Sequence, residues 1–317
     1  MNSSALVPTE FRDRHLSGVW AAVPIPWNRG GRVDAGALRE LVARYQAAGV
    51  HGVYSTGTDG EFHVLDLEAF EDVTAAFARA VADAGLPAQV GVSWINADGI
   101  YQRARVAREL GFRCIQTTIP FWMPLNDGEI LRFFNALADR FPDVGVVSYN
   151  TARTGRSLQA VDFRRLLDAG STVIGSKHEG NDDELLASVS AAPEIRHFVV
   201  DGGIVPGLLL GASGMYSFVV NVSPGWAMRF WKRASTGDWA GAIRDKQTLG
   251  QFLAAFERVL GPSVTAWASH AKAAVACALM VDMPLAVRPP YEAATRAQVR
   301  ALRRLIAQDF PEFGPDR

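Results

Sequence analysis

Residues 144–177 read VGVVSYNTARTGRSLQAVDFRRLLDAGSTVIGSK, and this stretch decides the fold. It opens on an apolar, β-branched run, Val144-Gly145-Val146-Val147-Ser148-Tyr149-Asn150, and closes on a second, Val173-Ile174-Gly175-Ser176-Lys177. Between them, Ala160–Leu167 places apolar residues three and four positions apart, the spacing of a helix with one buried face. Strand, helix and strand in succession make a crossover unit, and crossover units build parallel sheets.

The alternation extends in both directions. Apolar runs end near Ile25, Ser55, Val92, Thr118, Tyr149, Lys177, Val200 and Ser217, which makes about eight units. Helical patterns cover Ala35–Ala48, Asp66–Ala84, Ile100–Leu110, Asp127–Arg140, Ala160–Leu167 and Asp182–Ala191. Asp34, Asp66, Asp98, Asn126 and Asp182 stand at their starts, where a short acceptor side chain can cap free N–H groups. Gly49, Gly85, Gly111 and Gly170 stand at their ends, where φ turns positive. No dinucleotide or P-loop glycine motif follows the first strand, and an open sheet usually has fewer strands. The expected fold class is therefore α/β, a TIM (β/α)8 barrel with a C-terminal helical extension. After Trp226 the alternation stops, and Asp238–Val259, Ser263–Met280 and Pro290–Gln308 read as helices of that extension. The expected organisation is an N-terminal segment at 1–17, the barrel at 18–235 and the extension at 236–317, with no Ser/Gly-rich linker.

Composition excludes several classes. The chain has 317 residues, 49% hydrophobic and 21% charged, which is ordinary for a folded protein and unlike a disordered or collagen-like one. Thirty-two Lys and Arg against 33 Asp and Glu leave a net charge of -1, so no basic field recruits nucleic acid or an anionic membrane. The expected partner is a small molecule. Cys114 and Cys277 fit neither a zinc spacing nor a disulfide framework. Met1 to His15 is polar, without the apolar stretch of a secretory signal, and no apolar run reaches the roughly 18 residues of a membrane span. The sequence reads as cytoplasmic. His51, His63, His178 and His197 share no ligand spacing, so neither a metal nor another cofactor is called for. Arg103, Arg105, Arg108 and Arg113 read as a solvated helix face.

A barrel carries its reactive groups at the C-terminal ends of its strands, and these ends are polar here. The second strand runs into Ser55-Thr56-Gly57-Thr58-Asp59-Gly60-Glu61. Two glycines permit a tight turn whose N–H groups and hydroxyls can face a carboxylate. The fifth strand ends at Tyr149-Asn150, followed by Thr151-Ala152-Arg153-Thr154-Gly155, and the sixth ends at Lys177. Desolvating an ammonium costs several kcal/mol unless it is paired or loses its proton. Two readings of Lys177 follow. In one it is structural and paired with Glu179 or another carboxylate. In the other, desolvation lowers its pKa from about 10.4 toward neutrality, and the free amine condenses with a ketone. The iminium so formed is an electron sink for a carbanion at the next carbon, and a nearby phenol could relay the proton.

Four of these segments resemble one family. Gly57-Thr58-Asp59-Gly60-Glu61 is similar to the G-T-T-G-E turn of the dihydrodipicolinate synthase and N-acetylneuraminate lyase family. Tyr149-Asn150 with Arg153-Thr154-Gly155 resembles its Y-N-x-P-x-R-T-G segment, and Ile174-Gly175-Ser176-Lys177 resembles its G-x-K lysine. Gly211–Ser217 with Asn221-Val222-Ser223-Pro224 resembles its G-A-x-G-x-x-S…N-x-x-P run. The motifs occur in family order over roughly Gly18 to Trp226. The resemblance implies a class I, Schiff-base aldolase or dehydratase acting on pyruvate or another 2-keto acid with an aldehyde or sugar-acid co-substrate, and a homotetramer. It implies Lys177 as the imine lysine, Tyr149 as the acid/base phenol and Thr58 as the hydroxyl of the turn. The backbone of Thr58 and Asp59, with Gly57, would bind the keto-acid carboxylate. Gly202 falls where the family offers a backbone carbonyl, Ser217 ends the matched eighth strand, and Glu61 braces the turn.

The departures mark a divergent member. Pro120-Phe121-Trp122-Met123-Pro124 stands where the family's synthases carry a Tyr-Tyr pair, and an indole has no acid/base cycle near neutral pH. Asp59 replaces a hydroxyl residue of the turn. The Tyr149 segment lacks its proline and is one residue short before Arg153, which is expected to bind the second substrate where that substrate is an acid. Asp201-Gly202-Gly203 stands where sugar-acid lyases carry acidic residues. Competing readings are dihydrodipicolinate synthase proper, a non-catalytic keto-acid-binding protein, and an enzyme with a phosphate site at Asp201–Ile204 and Gly211–Gly214.

Overall fold

The computed structural model describes residues 16–278 and 280–314. The expected N-terminal segment lies almost wholly outside the described residues. In chain order the elements are β1 (Gly18–Ala22), α1 (Ala35–Ala47), β2 (Gly52–Ser55), α2 (Leu67–Ala84), β3 (Ala88–Gly91) and α3 (Ala97–Glu109). There follow β4 (Cys114–Thr117), α4 (Asp127–Arg140), β5 (Gly145–Asn150), α5 (Ala160–Asp168), β6 (Val173–His178), α6 (Asp182–Ala191), β7 (Arg196–Val200), α7 (Ile204–Leu209) and β8 (Gly214–Ser217). The chain ends in α8 (Pro224–Ser235), α9 (Trp239–Leu260), α10 (Trp267–Cys277) and α11 (Arg296–Asp309). The sheet is a closed barrel in the order β1 to β8, the TIM-barrel class with a C-terminal run of helices.

Two compact units make up the chain. Of the described residues, one comprises Leu16–Gly18 together with Ala88–Tyr216. Its strands pair in parallel in sequence order, and the register of β5 on β6 positions its chemistry. Val146 pairs with Val173 but Val147 pairs with Gly175, so Ile174 is the extra residue of a bulge. Beyond the bulge Tyr149 lies beside Lys177. Without it the same strands would set Tyr149 beside Ser176, one residue out of phase.

The helices of this unit start and stop for local reasons. Asn126 accepts from the Glu129 N–H at 3.0 Å while the Glu129 carboxylate accepts from the Asn126 N–H at 2.8 Å, a reciprocal cap of α4. The caps of α3 and α6 are Asn96 and Asn181, not Asp98 and Asp182, which sit in the first turns. Helix α3 begins three residues before its apolar pattern, whereas α6 starts at Asp182 as expected with its cap one residue earlier, and the acidic residues of both first turns face the positive end of the helix dipole. Gly111 and Gly170 end α3 and α5 with φ of +94° and +75°. Arg103 is buried, not solvated: its guanidinium lies 3.6 Å from the Trp94 ring centroid. The charge is held against an aromatic face, which apolar spacing cannot reveal. Arg108 and Arg113 reach Asp143 at 2.8 and 3.5 Å.

The second unit comprises, among the described residues, Val19–Pro87 and those from Ser217 to Gly314. Gly49 and Gly85 end α1 and α2 at φ of +81° and +64°. Its C-terminal helices enclose an aromatic cluster in which Phe313 lies 4.3 Å from Phe252 and 4.5 Å from Trp226, ring centre to ring centre. The helix expected at Ser263–Met280 is shorter, Trp267–Cys277. The last helix starts at Arg296 instead of Pro290, where Thr295 and Gln298 cap each other's backbone.

Candidate active site

Side chains alternate along β6, so Lys177 faces opposite to Ser176 and His178. On the outer side, His178 Nε2 lies 2.7 Å from the Ser176 hydroxyl, which lies 2.9 Å from His197 Nδ1, and Phe163 of α5 covers both rings. Burial and the neighbouring His197 pull His178 down to about 3, so it remains a neutral structural histidine. Lys177 is buried, with Nζ 4.1 Å from the ring centroid of Tyr149 and 5.4 Å from that of Tyr216. Tyr216 was not foreseen as a neighbour. Its hydroxyl donates to Gln89 Oε1 at 2.7 Å, and burial pushes its phenol far up, so it holds its proton and acts as a wall.

Glu179 organises the rim beside this lysine. Its carboxylate accepts from the Tyr149 hydroxyl, from Thr151 Oγ1 at 2.7 Å and from Arg153 Nη1 at 3.1 and 3.2 Å. Arg153 also comes within 3.4 Å of the Tyr149 oxygen. Burial pushes the Glu179 carboxyl up, but the hydrogen bonds from Tyr149 and Thr151 and the charges of Lys177 and Arg153 outweigh it and hold the group below the usual carboxylate range. Sequence reasoning had placed Glu179 only as a possible partner of Lys177. Its place two residues on, with the same side-chain parity, was the available signal.

Of the remaining expected residues in this unit, Gly202 lies in the short turn after β7, where an added Cβ would meet nothing within 4 Å. Trp122 lies between β4 and α4 with 77% of its surface exposed in the single chain. Neither touches the Lys177 group in any contact described above.

In the second unit, Gly57-Thr58-Asp59-Gly60-Glu61 forms the turn after β2. Its left-handed residues are Thr56 and Glu61, at φ of +53° and +59°, and not the glycines. The glycines serve close approach instead. A Cβ on Gly60 would lie 2.4 Å from the Thr56 nitrogen, and one on Gly57 would lie 2.8 Å from the Tyr54 ring. Glu61 braces the turn, as expected: its carboxylate accepts from Trp27 Nε1 at 2.7 Å, Lys272 Nζ at 2.5 Å and the Arg288 N–H at 2.7 Å. Lys272 lies in the Ala-rich α10, buried from Ala268 to Cys277, where a lone lysine demands a partner. Desolvation lowers Lys272 from 10.5 to about 8, against the opposing pull of Glu61.

Thr58 and Asp59 are half-buried. The Ser217 hydroxyl accepts from the Val220 N–H at 3.2 Å. Asn221, from the resembling N-x-x-P run, is structural: it accepts from the Tyr45 hydroxyl and donates to the Ala22 carbonyl at 3.1 Å. Among the described residues no group of three His, Cys, Asp or Glu side chains is placed to hold a metal ion, and no helix is long and apolar enough to cross a membrane.

Comparison with known proteins gives a consistent answer. Residues 15–309 match the dihydrodipicolinate synthetase family. The chain is 31% identical over 232 residues to 4-hydroxy-tetrahydrodipicolinate synthase of Thermomicrobium roseum, covering 72% of this chain and 75% of that one. It is 28% identical over 246 residues to a putative 2-dehydro-3-deoxy-D-gluconate aldolase, YagE, of Escherichia coli, covering 74% and 80%. The crystal structure of YagE in complex with pyruvate superposes with a TM-score of 0.84 at 24% identity over 92% of this chain and 98% of that one. A sialic acid aldolase of Ruminococcus gnavus, solved as a catalytic lysine mutant, gives a TM-score of 0.84 at 20% identity over 95% and 99%. With the fold and an almost full-length family match in hand, the chain belongs to the dihydrodipicolinate synthetase family and is an enzyme of its class I aldolase and lyase kind.

Proposed function

We propose that Lys177 Nζ attacks the ketone of pyruvate or another 2-keto acid, expels water and forms an imine, through which the enzyme makes or breaks a carbon–carbon bond or eliminates water. The observation that supports this best is the buried Lys177 amine set against the face of Tyr149, at 4.1 Å. An amine in such a place is held away from bulk water at the end of a barrel strand, beside a phenol that can carry the proton. Tyr149 carries the proton to and from the carbon or oxygen that reacts. Thr58, with the backbone of Gly57 and Asp59, takes the keto-acid carboxylate, and Asp59 serves a substrate hydroxyl or a proton. Gly202 supplies a carbonyl, Ser217 lines the first substrate, and Arg153 and Trp122 stand where the second substrate enters. The assembly proposed is a cytoplasmic homotetramer, to be measured by light scattering.

Borohydride reduction with pyruvate, followed by intact mass and peptide mapping, tests the reading. One pyruvyl addition on the peptide containing Lys177 is expected, and none in Lys177→Ala. Trapping that persists in Lys177→Ala overturns the assignment. The relatives that are 4-hydroxy-tetrahydrodipicolinate synthases favour a second reading, in which the aldehyde is aspartate semialdehyde. Turnover of that aldehyde with pyruvate separates the two.

A further inference from the structure

Glu179 does more at the rim than brace a loop. Its carboxylate gathers three donors from one segment: the Tyr149 hydroxyl, Thr151 Oγ1 at 2.7 Å and Arg153 Nη1 at 3.1 Å. Its side chain is 30% exposed and that of Arg153 is 58% exposed, so the pair lies open to an incoming molecule. Two consequences follow from the inventory of donors and charges. A phenol has a single proton to donate. With that proton directed at Glu179, the Tyr149 oxygen turns its lone pairs away from the carboxylate, towards Arg153 Nη1 at 3.4 Å and the side a reacting group would approach, and any proton it takes up must be matched by passing its own to Glu179. The second consequence concerns charge. A free guanidinium would grip a carboxylate with two parallel hydrogen bonds. The Arg153 charge is already cancelled by Glu179, and an anionic aldehyde arriving there would meet a resident carboxylate.

We infer that Glu179 is a specificity-determining residue, and that by neutralising Arg153 and orienting Tyr149 it selects an uncharged aldehyde as the second substrate. The inference rests on the imine reading of Lys177. The sequence-based expectation for Arg153 held only for an acidic second substrate, and the structure adds the Glu179 carboxylate that occupies the arginine.

The test begins with protein reduced in the presence of pyruvate, in which the first substrate is fixed to Lys177. Calorimetric titration with butanal and with succinic semialdehyde then compares a neutral and an anionic aldehyde of the same chain length. The unaltered protein is expected to bind butanal more tightly. In Glu179→Gln the ratio of the two dissociation constants should shift toward the anionic aldehyde by about five-fold, the worth of an exposed ion pair. The shift should vanish in Glu179→Gln with Arg153→Leu. Arg153→Gln provides an independent arm: it removes the guanidinium that offsets Glu179 at the rim and should move the ratio about five-fold the other way. Failure of butanal to bind, preference of the unaltered protein for succinic semialdehyde, or an unchanged ratio in either single variant overturns the inference while leaving pyruvate trapping at Lys177 intact. Absence of trapping overturns the imine reading, and this inference with it.

Discussion

Raising the pH should stabilise the folded protein through Lys272, and the variant Lys272→Met should lack that gain. Lys272 Nζ lies 2.5 Å from Glu61 Oε1, and the two side chains are 0% and 3% exposed. Desolvation brings the ammonium from 10.5 down to about 8. A lysine whose pKa is lowered on folding releases its proton from the folded state first. Between pH 8 and 10.5 the unfolded chain therefore binds more protons, and stability rises with pH over that window. Below pH 8 both states hold the proton and no slope remains. With these two values and about 1.36 kcal/mol per pH unit, the gain between pH 7 and pH 9.5 is about 2 kcal/mol.

The assay is urea unfolding of the unaltered protein and of Lys272→Met at both pH values, read as the difference between the two changes. Methionine has similar length and keeps the packing of the stem. The buried groups Cys114, Tyr45 and Tyr216, whose pKa values are raised, titrate alike in both proteins and cancel in the difference. Equal pH slopes, or a smaller gain in the unaltered protein, would refute a protonated, desolvated Lys272 beside Glu61.

Other substitutions test the site residue by residue. Tyr149→Phe should lower turnover by about 10²–10⁴-fold while pyruvate trapping at Lys177 persists, and unchanged turnover would remove the proton-carrying role. Gly60→Ala places a Cβ 2.4 Å from the Thr56 nitrogen, a backbone atom that cannot swing aside. It should cost about 3 kcal/mol in denaturant unfolding, the upper end for an overpacked site, and a neutral result would mean that the turn is not closed as described. With pyruvate and aspartate semialdehyde the protein should show negligible condensation, since Trp122 supplies no acid/base cycle, and Trp122→Tyr alone should not create it. Turnover of about 1–10³ s⁻¹, the usual enzymatic range, would overturn this expectation.

The barrel was legible in the amino-acid sequence because it depends on local periodicity, and Lys177 and Tyr149 stood out as polar residues at the ends of apolar runs. Strand ends are set by apolar runs, helix ends by caps and glycines, and a polar residue closing a buried run stands out by itself. Arg103, Tyr216 and Lys272 were not legible in this way. Each has a partner that is distant in sequence or lies on another element, and apolar spacing says nothing of partners. The turn after β2 shows an intermediate case. Its glycines announced a tight backbone, but φ places the left-handed conformation at Thr56 and Glu61, while Gly60 is required by the approach of Thr56.

The parallel βα architecture, with a lysine near the end of β6 and a tyrosine near the end of β5, follows from local apolar spacing and caps. Their meeting depends on strand register, a property of the two strands packed together. Ile174 is bulged out between the Val146–Val173 and Val147–Gly175 pairs, and that one-residue shift sets Tyr149 beside Lys177 instead of Ser176. The side-chain period of a strand is two, so a slip of one residue exchanges the faces of the sheet. The slip is chosen by the packing of both strands together, which no local pattern in either strand encodes.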